Sequence, residues 1–329
     1  MRIRLTLICS LCLWITFSGC TQAEKLHTKK FVIAGTYVEV TSAHPDANRI
    51  VFETMRGLEK VFNLYDASSD LSRLNAAAGI EPVRVDRALI EAILLSKQLH
   101  QLTHGAFDPS IGTTISFWKE KISQGRLERF PSTEEIEAML RGGGMDHVQI
   151  DEGENTAFID KEGVILDLGG IAKGFMVDKA ISALKEKGID SALINAGGDM
   201  FCLGSKDGQP WNIGIRDPGT LAGIMETLKI KDEAIATSGD YEQFFLYDDK
   251  RYSHIIDPRT ALPVSGPIRS ITVIAANATT ADGLATAFFI LGKAEIMRFI
   301  QDGKSTLKVF VVEETGEGRI QIHCLGPLF

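Results

Sequence analysis

The chain has 329 residues, of which 44% are hydrophobic and 24% are charged, a composition typical of a globular protein with one large domain or two lobes sharing a cleft. Its formal net charge is −8 and it contains no basic tract. Binding of nucleic acid is therefore not expected, because phosphate backbones are bound by clustered Lys and Arg.

The N-terminus has the pattern of an export signal. Two arginines precede a mostly apolar stretch at 5–17, which is shorter than the about 20 residues that span a bilayer. Small residues then precede Cys20, a pattern that resembles a bacterial lipobox. We expect a lipoprotein signal peptide at 1–19 and a lipid on Cys20 that anchors the chain to a membrane of the bacterial cell envelope, facing the periplasm or the exterior. The alternative is a plain secretory signal with Cys20 unmodified.

Only Cys202 and Cys324 lie beyond this N-terminal segment. Two cysteines cannot form a disulfide framework or a four-ligand zinc site. They could pair with each other in an oxidising compartment, and packing in the core is equally compatible with their number.

The first half of the domain is predicted to be mainly helical. A polar tether is expected at 20–30, followed by the domain itself. Ser132 and Glu135 have the spacing of a capping box, which indicates a helix start. The periodicity of apolar residues predicts a strand at 31–40 and helices at 45–65, at 86–103 and from Ser132 onward.

The second half alternates β-like runs with helices. A helix is predicted at 171–187, and two more at 281–291 and 293–301. Strands and helices follow no regular βαβ order, so a mixed α+β fold with a largely antiparallel component is expected. Strands are predicted near 147–151, 155–160, 163–168, 192–196, 211–216, 224–230, 234–237, 243–247, 268–276 and 307–313.

Asp282 and Thr286 are candidate ligands for a metal ion. They stand four residues apart in the segment ADGLAT, so a helix would place them on one face. A carboxylate and a hydroxyl are hard oxygen donors, which suit Mg²⁺ better than zinc. The alternative from spacing alone is an acidic first helical turn with a buried threonine.

A glycine-rich turn, DLGGIAKG at 167–174, follows a predicted strand and opens a predicted helix. Glycines let the backbone approach a ligand, and a helix N-terminus attracts phosphate. The segment matches neither the P-loop nor the G-x-G-x-x-G dinucleotide pattern, and a tight turn between a strand and a helix would need similar glycines.

His254, in the segment YSHIIDPRT, could act as a general base near neutral pH or could be structural. Three other polar segments, GAFDP at 105–109, NAGGD at 195–199 and TSGDY at 237–241, could each be only a loop.

Taken together and in this order, the segments resemble the ApbE family of FAD:protein FMN transferases. The resemblance also includes the pair GT at 35–36 and the segment SSDLSRLN at 68–75, and it extends over about 31–313. So many ordered matches are hard to reach by chance.

The resemblance implies an α+β flavin transferase fold whose mixed sheets and helices form two packed lobes, with FAD in the cleft between them. It implies one catalytic domain at 31–329. The implied reaction is Mg²⁺-dependent transfer of FMN from the substrate FAD to a threonine or serine hydroxyl of an acceptor protein, with release of AMP. Exported redox subunits are the expected acceptors.

The resemblance also assigns roles to residues. Mg²⁺ is expected on the side chains of Asp282 and Thr286 and on the backbone carbonyl of Ala172. His254 is expected to be the base that activates the acceptor hydroxyl, with the turn at 257–259 orienting it or shaping the acceptor groove. Lys173 is expected either to face a phosphate or to close a structural salt bridge. The residues expected to bind FAD are Gly35, Thr36, Tyr65, Ala106, Phe107, Asp108, Lys173, Asp178, Gly197, Gly198 and Asp199.

Two positions depart from the family pattern. Ala34 stands where the family usually has a methionine that contacts flavin, and Ala261 stands where a glycine often follows the Arg-Thr pair. Neither change touches the expected metal ligands.

Two other functions are compatible with these residues. The same site would act as an Mg²⁺-dependent FAD pyrophosphatase if water replaced the acceptor hydroxyl. A non-catalytic FAD-binding lipoprotein is the other alternative, but simple binding would not require Asp282, Thr286 and His254.

Overall fold

A computed structural model describes residues 25–327 except 125, 126, 128, 221, 222, 242, 249, 303–306 and 317. The expected signal peptide and Cys20 lie outside the described residues. Within the described ranges, no helix is both long enough and apolar enough to cross a membrane.

The helices and strands alternate irregularly along the chain. The helices are α1 (Ala47–Phe62), α2 (Asp70–Ala76), α3 (Arg87–Leu102), α4 (Gly112–Ser123), α5 (Thr133–Arg141), a short 3-10 helix (Met145–His147), α6 (Ala172–Glu186) and α7 (Ala278–Gln301). The strands are β1 (His27–Ile33), β2 (Thr36–Ser42), β3 (Val83–Arg84), β4 (Val148–Asp151), β5 (Thr156–Ile159), β6 (Ala192–Ala196), β7 (Asp199–Leu203), β8 (Trp211–Arg216), β9 (Ile224–Ile230), β10 (Glu233–Gly239), β11 (Phe244–Tyr247), β12 (Lys250–Ser253), β13 (Ile256–Asp257), β14 (Leu262–Pro263), β15 (Ile268–Ala275), β16 (Lys308–Glu314) and β17 (Ile320–Leu325).

The main sheet has eight strands in the order β1-β2-β6-β7-β10-β15-β16-β17, and every neighbouring pair is antiparallel. β15 and β16 are buried through most of their length because both faces of the sheet are covered. This agrees with their continuous runs of apolar residues, which are typical of strands covered on both faces. The expectation of a mixed α+β fold with a largely antiparallel component is confirmed.

Helices and a β-ribbon cover opposite faces of this sheet. α1, α6 and α7 pack on one face, where Ala234 and Ala236 of β10 join the largest apolar core. Between them, Ile235 belongs to a second core, which the two-stranded ribbon β8-β9 covers from the other face. The alternation follows from the two-residue period of a strand.

A third apolar cluster joins α4 to the hairpin β11-β12. The Trp118 ring stacks on Phe245 with their centroids 5.8 Å apart, and its Nε1 donates to the carbonyl oxygen of Ala261 at 2.8 Å. Trp118 is fully buried. The cluster therefore fixes α4 against the segment that carries His254, and together they form one wall of a cleft.

Two of the predicted boundaries near the N-terminus are wrong. The strand predicted at 31–40 is a hairpin, because Ala34 and Gly35 both have positive φ angles (52° and 70°) and turn the chain between β1 and β2. β1 begins at His27, inside the expected tether, and its exposed polar residues at the sheet edge carry no apolar pattern. Charged residues on an edge strand discourage pairing with other chains.

Several other elements differ from the sequence prediction. Residues 163–168 form only an isolated bridge between Ile165 and Ile111, so the strand predicted there is absent. α2, α4 and the strands β3, β7, β12, β13, β14 and β17 are present but were not predicted. The two helices predicted at 281–291 and 293–301 are the halves of α7, which is interrupted at Gly292 (φ 79°, ψ 168°). The capping box of Ser132 and Glu135 is confirmed.

α6 and α7 are in close contact at Gly174. A Cβ atom placed there would lie 2.3 Å from the carbonyl oxygen of Ala278 and 2.9 Å from the Cβ of Asp282. The absence of a side chain therefore sets the distance between the two helices. The Gly174 N–H donates to Asp282 Oδ2 at 3.0 Å, so the same contact holds a candidate metal ligand.

We predict that Gly174→Ala lowers the free energy of unfolding by about 1–3 kcal/mol, because the added methyl overlaps rigid backbone atoms. Urea unfolding would measure the loss. The matched control is Gly57→Ala in α1, where an added Cβ meets nothing within 4 Å. That change should stabilise the protein by about 0.4–1 kcal/mol. Equal stability of Gly174→Ala and wild type would contradict the proposed close packing.

Candidate active site

The cleft consists of two pockets that share part of their lining. The first has a volume of about 320 Å³ and is lined by the loops at 106–109 and 197–199, by the C-terminal end of β10 and by α7. The second has a volume of about 470 Å³ and extends to Gly35 and Tyr65. Both are bounded by the glycine-rich turn before α6.

Lys173 is the centre of an ion-pair cluster in this cleft. Its Nζ lies 3.3 Å from each carboxylate oxygen of Asp282 and also contacts Asp199 Oδ2. Both aspartates are 3% exposed, so these charges are shielded from water. The expectation of a structural salt bridge is confirmed, and Lys173 also lines both pockets.

The charge state of Lys173 follows from its surroundings. Burial alone would lower the pKa of its ammonium group, but Asp199 and Asp282 outweigh burial and hold the pKa above its usual value. A raised folded-state pKa means that the stabilisation is fully present below the usual lysine pKa of about 10.4 and is lost only as the pH rises above it. The ion pair is therefore complete at neutral pH.

Asp282 and Thr286 both face the first pocket from α7. The Thr286 hydroxyl lies 3.3 Å from the Ser238 hydroxyl and close to Gly170 of the glycine-rich turn. Ala172, the third expected metal ligand, lines the second pocket. No group of three or more His, Cys, Asp or Glu side chains suited to a metal occurs in the described ranges, so any metal here would need hydroxyl, carbonyl, phosphate or water oxygens as well.

Acidic groups outnumber basic groups among the described residues that line the first pocket. Four carboxylates face two ammonium groups, which leaves two negative charges when His254 is neutral. The carboxylates are Asp108, Asp167, Asp199 and Asp282, and the ammonium groups are Lys119 and Lys173. A phosphate ligand would be repelled from this pocket unless a divalent cation accompanied it.

His254 lies on the opposite wall of the same pocket, directly after β12. The ring Nδ1 of His254 is 3.2 Å from the carbonyl oxygen of Gln243, and the backbone N–H of His254 donates to the same oxygen at 3.1 Å. A carbonyl can only accept, so Nδ1 carries the proton and the lone pair of the neutral ring is on Nε2. The Asp257 carboxylate accepts three hydrogen bonds from Arg259, one from its backbone N–H and two from its guanidinium group, and the Gln243 carbonyl orients the imidazole ring.

Most of the residues predicted to bind FAD line the cleft. Gly35 and Tyr65 lie in the second pocket, and Tyr65 is 83% exposed. Thr36 lines neither pocket but packs against Gly197, where a Cβ would be 2.4 Å from the Thr36 hydroxyl. The predicted FAD-binding residues that line the first pocket are Ala106, Phe107, Asp108, Lys173, Gly197, Gly198 and Asp199.

Asp178 lies outside both pockets, in contrast to its predicted role in FAD binding. Its carboxylate accepts hydrogen bonds from the N–H groups of Ala278 and Thr279, at 2.7 and 2.8 Å, and from the Thr279 hydroxyl. Burial raises the pKa of this carboxyl, although these hydrogen bonds act in the opposite direction. Asp178 therefore holds the N-terminus of α7.

Lys119 and Asp167 are cleft residues to which the sequence analysis gave no role. The Lys119 Nζ lies 2.9 Å from Asp167 Oδ2, and both residues line both pockets. Asp167 belongs to the glycine-rich turn that the sequence analysis singled out, so its motif was a usable signal. Lys119 is on α4, a helix that was not predicted, and no motif marks it.

The two departures from the family pattern both adopt left-handed backbone conformations. Ala34 has a φ of 52° and Ala261 a φ of 58°. A glycine would adopt this conformation without steric cost, which explains why glycine is favoured at the position of Ala261. The Ala261 carbonyl still accepts the Trp118 hydrogen bond, so the wall of the cleft is intact.

Cys202 and Cys324 are both free, with Cys202 in the core.

A cleft with an anchored imidazole, buried carboxylates and a lysine at a glycine-rich turn is typical of the active site of an α+β enzyme. The chain belongs to the ApbE family, whose model matches residues 34–311. This confirms the family resemblance and the fold that it implied.

Relatives of known name agree with this assignment. The FAD:protein FMN transferase of Treponema pallidum is 34% identical, covering 87% of this chain and 84% of that protein. The FAD:protein FMN transferase of Vibrio cholerae is 33% identical, covering 92% of each chain. The solved structure of the flavin transferase ApbE from Vibrio cholerae superposes with a TM-score of 0.79 at 28% identity, covering 92% of this chain and 97% of that one.

We predict that Lys173→Met lowers the free energy of unfolding by about 3–5 kcal/mol at neutral pH, because Asp199 and Asp282 lose the cation that they share. Urea unfolding at neutral pH would measure the loss. The double variant Lys173→Met/Asp199→Asn should recover part of it, because only one uncompensated carboxylate remains. A double variant no more stable than Lys173→Met would contradict the electrostatic explanation.

Proposed function

We propose that this chain transfers FMN from FAD to a threonine or serine hydroxyl of acceptor proteins, with AMP as the leaving group. The observation that carries the proposal is one cavity lined by an oriented imidazole, His254, and by the oxygen donors Asp282 and Thr286. The family membership and the names of the relatives support the same reaction. A base that takes the proton of the nucleophile and a cation that neutralises phosphoryl charge both assist phosphoryl transfer to a hydroxyl.

Mg²⁺ fits the donors of this site. Asp282 supplies a carboxylate, Thr286 a hydroxyl, and the Ala172 carbonyl is the third proposed ligand, all hard oxygen donors. The excess of two negative charges among the described residues of the first pocket also favours a divalent cation. When bound, the cation would neutralise charge on the phosphoryl oxygens and on the leaving AMP.

The chain's own residues supply the remaining chemistry. The acceptor hydroxyl gives its proton to His254 Nε2, and its oxygen forms a bond to the phosphorus of the FMN half. The bond from that phosphorus to the bridging oxygen breaks, and AMP leaves with this oxygen. Because Nδ1 is held by the Gln243 carbonyl, the imidazolium that forms is stabilised in the same orientation.

We also propose that the mature chain is a lipoprotein of the bacterial cell envelope, with its lipid on Cys20 and with exported redox subunits as its acceptors. The apolar stretch at 5–17 and the small residues before Cys20 support this location. Only a short segment separates Cys20 from β1, which begins at His27, so the domain would lie close to the membrane surface.

Covalent labelling tests the function directly. The mature domain is incubated with FAD, Mg²⁺ and an acceptor protein carrying an exposed Asp-x-x-Thr-x-Ala-Thr-like segment, and flavin fluorescence is recorded on a denaturing gel. We expect a fluorescent acceptor band that is absent when EDTA replaces Mg²⁺. The Thr286→Val variant keeps the shape of the side chain but removes its oxygen, so it should need a higher Mg²⁺ concentration.

The products distinguish the alternative functions. Release of free FMN and AMP with no labelled band, across several acceptors, would overturn the transferase proposal in favour of FAD hydrolysis. Bound FAD that stays intact would leave only flavin binding.

We predict that His254→Ala slows FMN transfer by about 10²–10⁴-fold, the usual cost of losing a general base. The initial rate of acceptor labelling at saturating FAD measures the effect. His147→Ala is the matched control, because His147 pairs with Asp160 at 2.8 Å and lines neither pocket. A decrease of less than about tenfold in His254→Ala would assign the ring a structural role.

A further inference from the structure

The two pockets of the cleft meet at a small group of shared residues. Lys119, Asp167, Gly169 and Lys173 line both of them. The volumes of about 320 and 470 Å³ are each in the lower half of the about 300–1,000 Å³ range of ligand pockets, so a dinucleotide needs both. The diphosphate, which joins the two halves of FAD, then lies at the shared residues.

The two shared lysines differ in how far their charge is already neutralised. Lys173 contacts two buried carboxylates, Asp199 and Asp282. Among the described residues, Lys119 pairs with a single carboxylate, that of Asp167, and 46% of its side chain is exposed. Asp167 is itself held by the Gly169 N–H, which donates to Oδ1 at 2.8 Å. The charge of Lys119 is therefore less fully neutralised by carboxylates than that of Lys173, and it would attract an anion in the cleft more strongly.

The position of Lys119 is fixed by its neighbour in the sequence. Trp118 is fully buried, stacked on Phe245 and hydrogen-bonded to Ala261, so α4 is anchored one residue before Lys119. Burial lowers the pKa of the Lys119 ammonium, but Asp167 and then Tyr65 outweigh it, and the net shift is upward. The group is therefore charged throughout the neutral pH range.

We propose that Lys119 binds the diphosphate of FAD where the two pockets meet, and thereby selects phosphate-bearing flavins over riboflavin. This inference rests on the proposed function, because it takes FAD as the occupant of the cleft. The ammonium group keeps its contact with Asp167 and donates a further hydrogen bond to a phosphate oxygen, a charge-assisted interaction. Lys119 then binds the substrate but neither donates nor accepts a proton during FMN transfer.

Equilibrium binding of two flavins tests this assignment. FAD and riboflavin are titrated separately into wild type and Lys119→Met, with Mg²⁺ and without acceptor protein, and flavin fluorescence reports binding. Afterwards the flavin is recovered to verify that it is still FAD. We expect the Kd for FAD to rise by about 10–100-fold, as for a lost charged hydrogen bond, and the Kd for riboflavin to stay within about twofold.

Two further variants complete the experiment. Lys121→Met removes an ammonium group two residues further along α4, where it lies 5.5 Å from the Phe117 ring centroid and outside the cleft, so it should bind both flavins like wild type. Lys119→Arg keeps the charge and should recover most of the FAD affinity. Because Lys119→Met also breaks the pair with Asp167, thermal unfolding of each variant verifies that the fold is retained.

Specific outcomes would overturn the inference. An unchanged Kd for FAD in Lys119→Met would mean that Lys119 does not contact the diphosphate. An equal loss of FAD and riboflavin would mean that Lys119 only supports the shape of the cleft through Asp167. Absence of FAD binding to wild type would instead overturn the proposed function, and the inference with it.

Discussion

The contact between α6 and α7 at Gly174 determines the geometry of the site. Without a side chain at this position, the carbonyl of Ala278 approaches to a distance that no other residue would allow, and the Gly174 N–H reaches Asp282. Lys173 precedes this contact and bonds the same carboxylate, while Asp178, one turn later, caps the first residues of α7. Lys173, Gly174 and Asp178 of α6 therefore fix the position of α7, the helix that carries both candidate metal ligands.

The balance of charge in the cleft connects this packing to function. Carboxylates exceed ammonium groups among the described residues that line the first pocket. This balance disfavours an anionic ligand that enters without a cation. The excess of carboxylates has a simple explanation if a divalent cation enters with the substrate, and the ion pair of Lys173 with Asp199 and Asp282 keeps the carboxylates stable until then.

The wall opposite α7 is built in a different way. There the apolar cluster around Trp118 joins α4 to the hairpin β11-β12 and to the Ala261 carbonyl. This cluster orients two groups of different chemistry, the imidazole of His254 through the Gln243 carbonyl and the ammonium group of Lys119 through α4. Loss of packing here would displace both groups at once, although neither is itself in the apolar core.

Sequence alone determined the family and, from its ordered motifs, most of the residues around the cleft, because glycine turns and the aspartates and histidine beside turns leave local patterns. It also determined the buried strands β15 and β16 and the capped helix after Ser132, since runs of apolar residues and capping are local properties. Only the tertiary structure decided that Asp178 holds α7 rather than FAD, that residues 31–40 form a hairpin, and that Lys119 reaches the cleft. The roles of Asp178 and Lys119 depend on contacts between residues far apart in the chain, and such contacts leave no periodic or motif signal in the segments that make them. The hairpin depends instead on the left-handed conformations of Ala34 and Gly35, which an alanine seldom adopts.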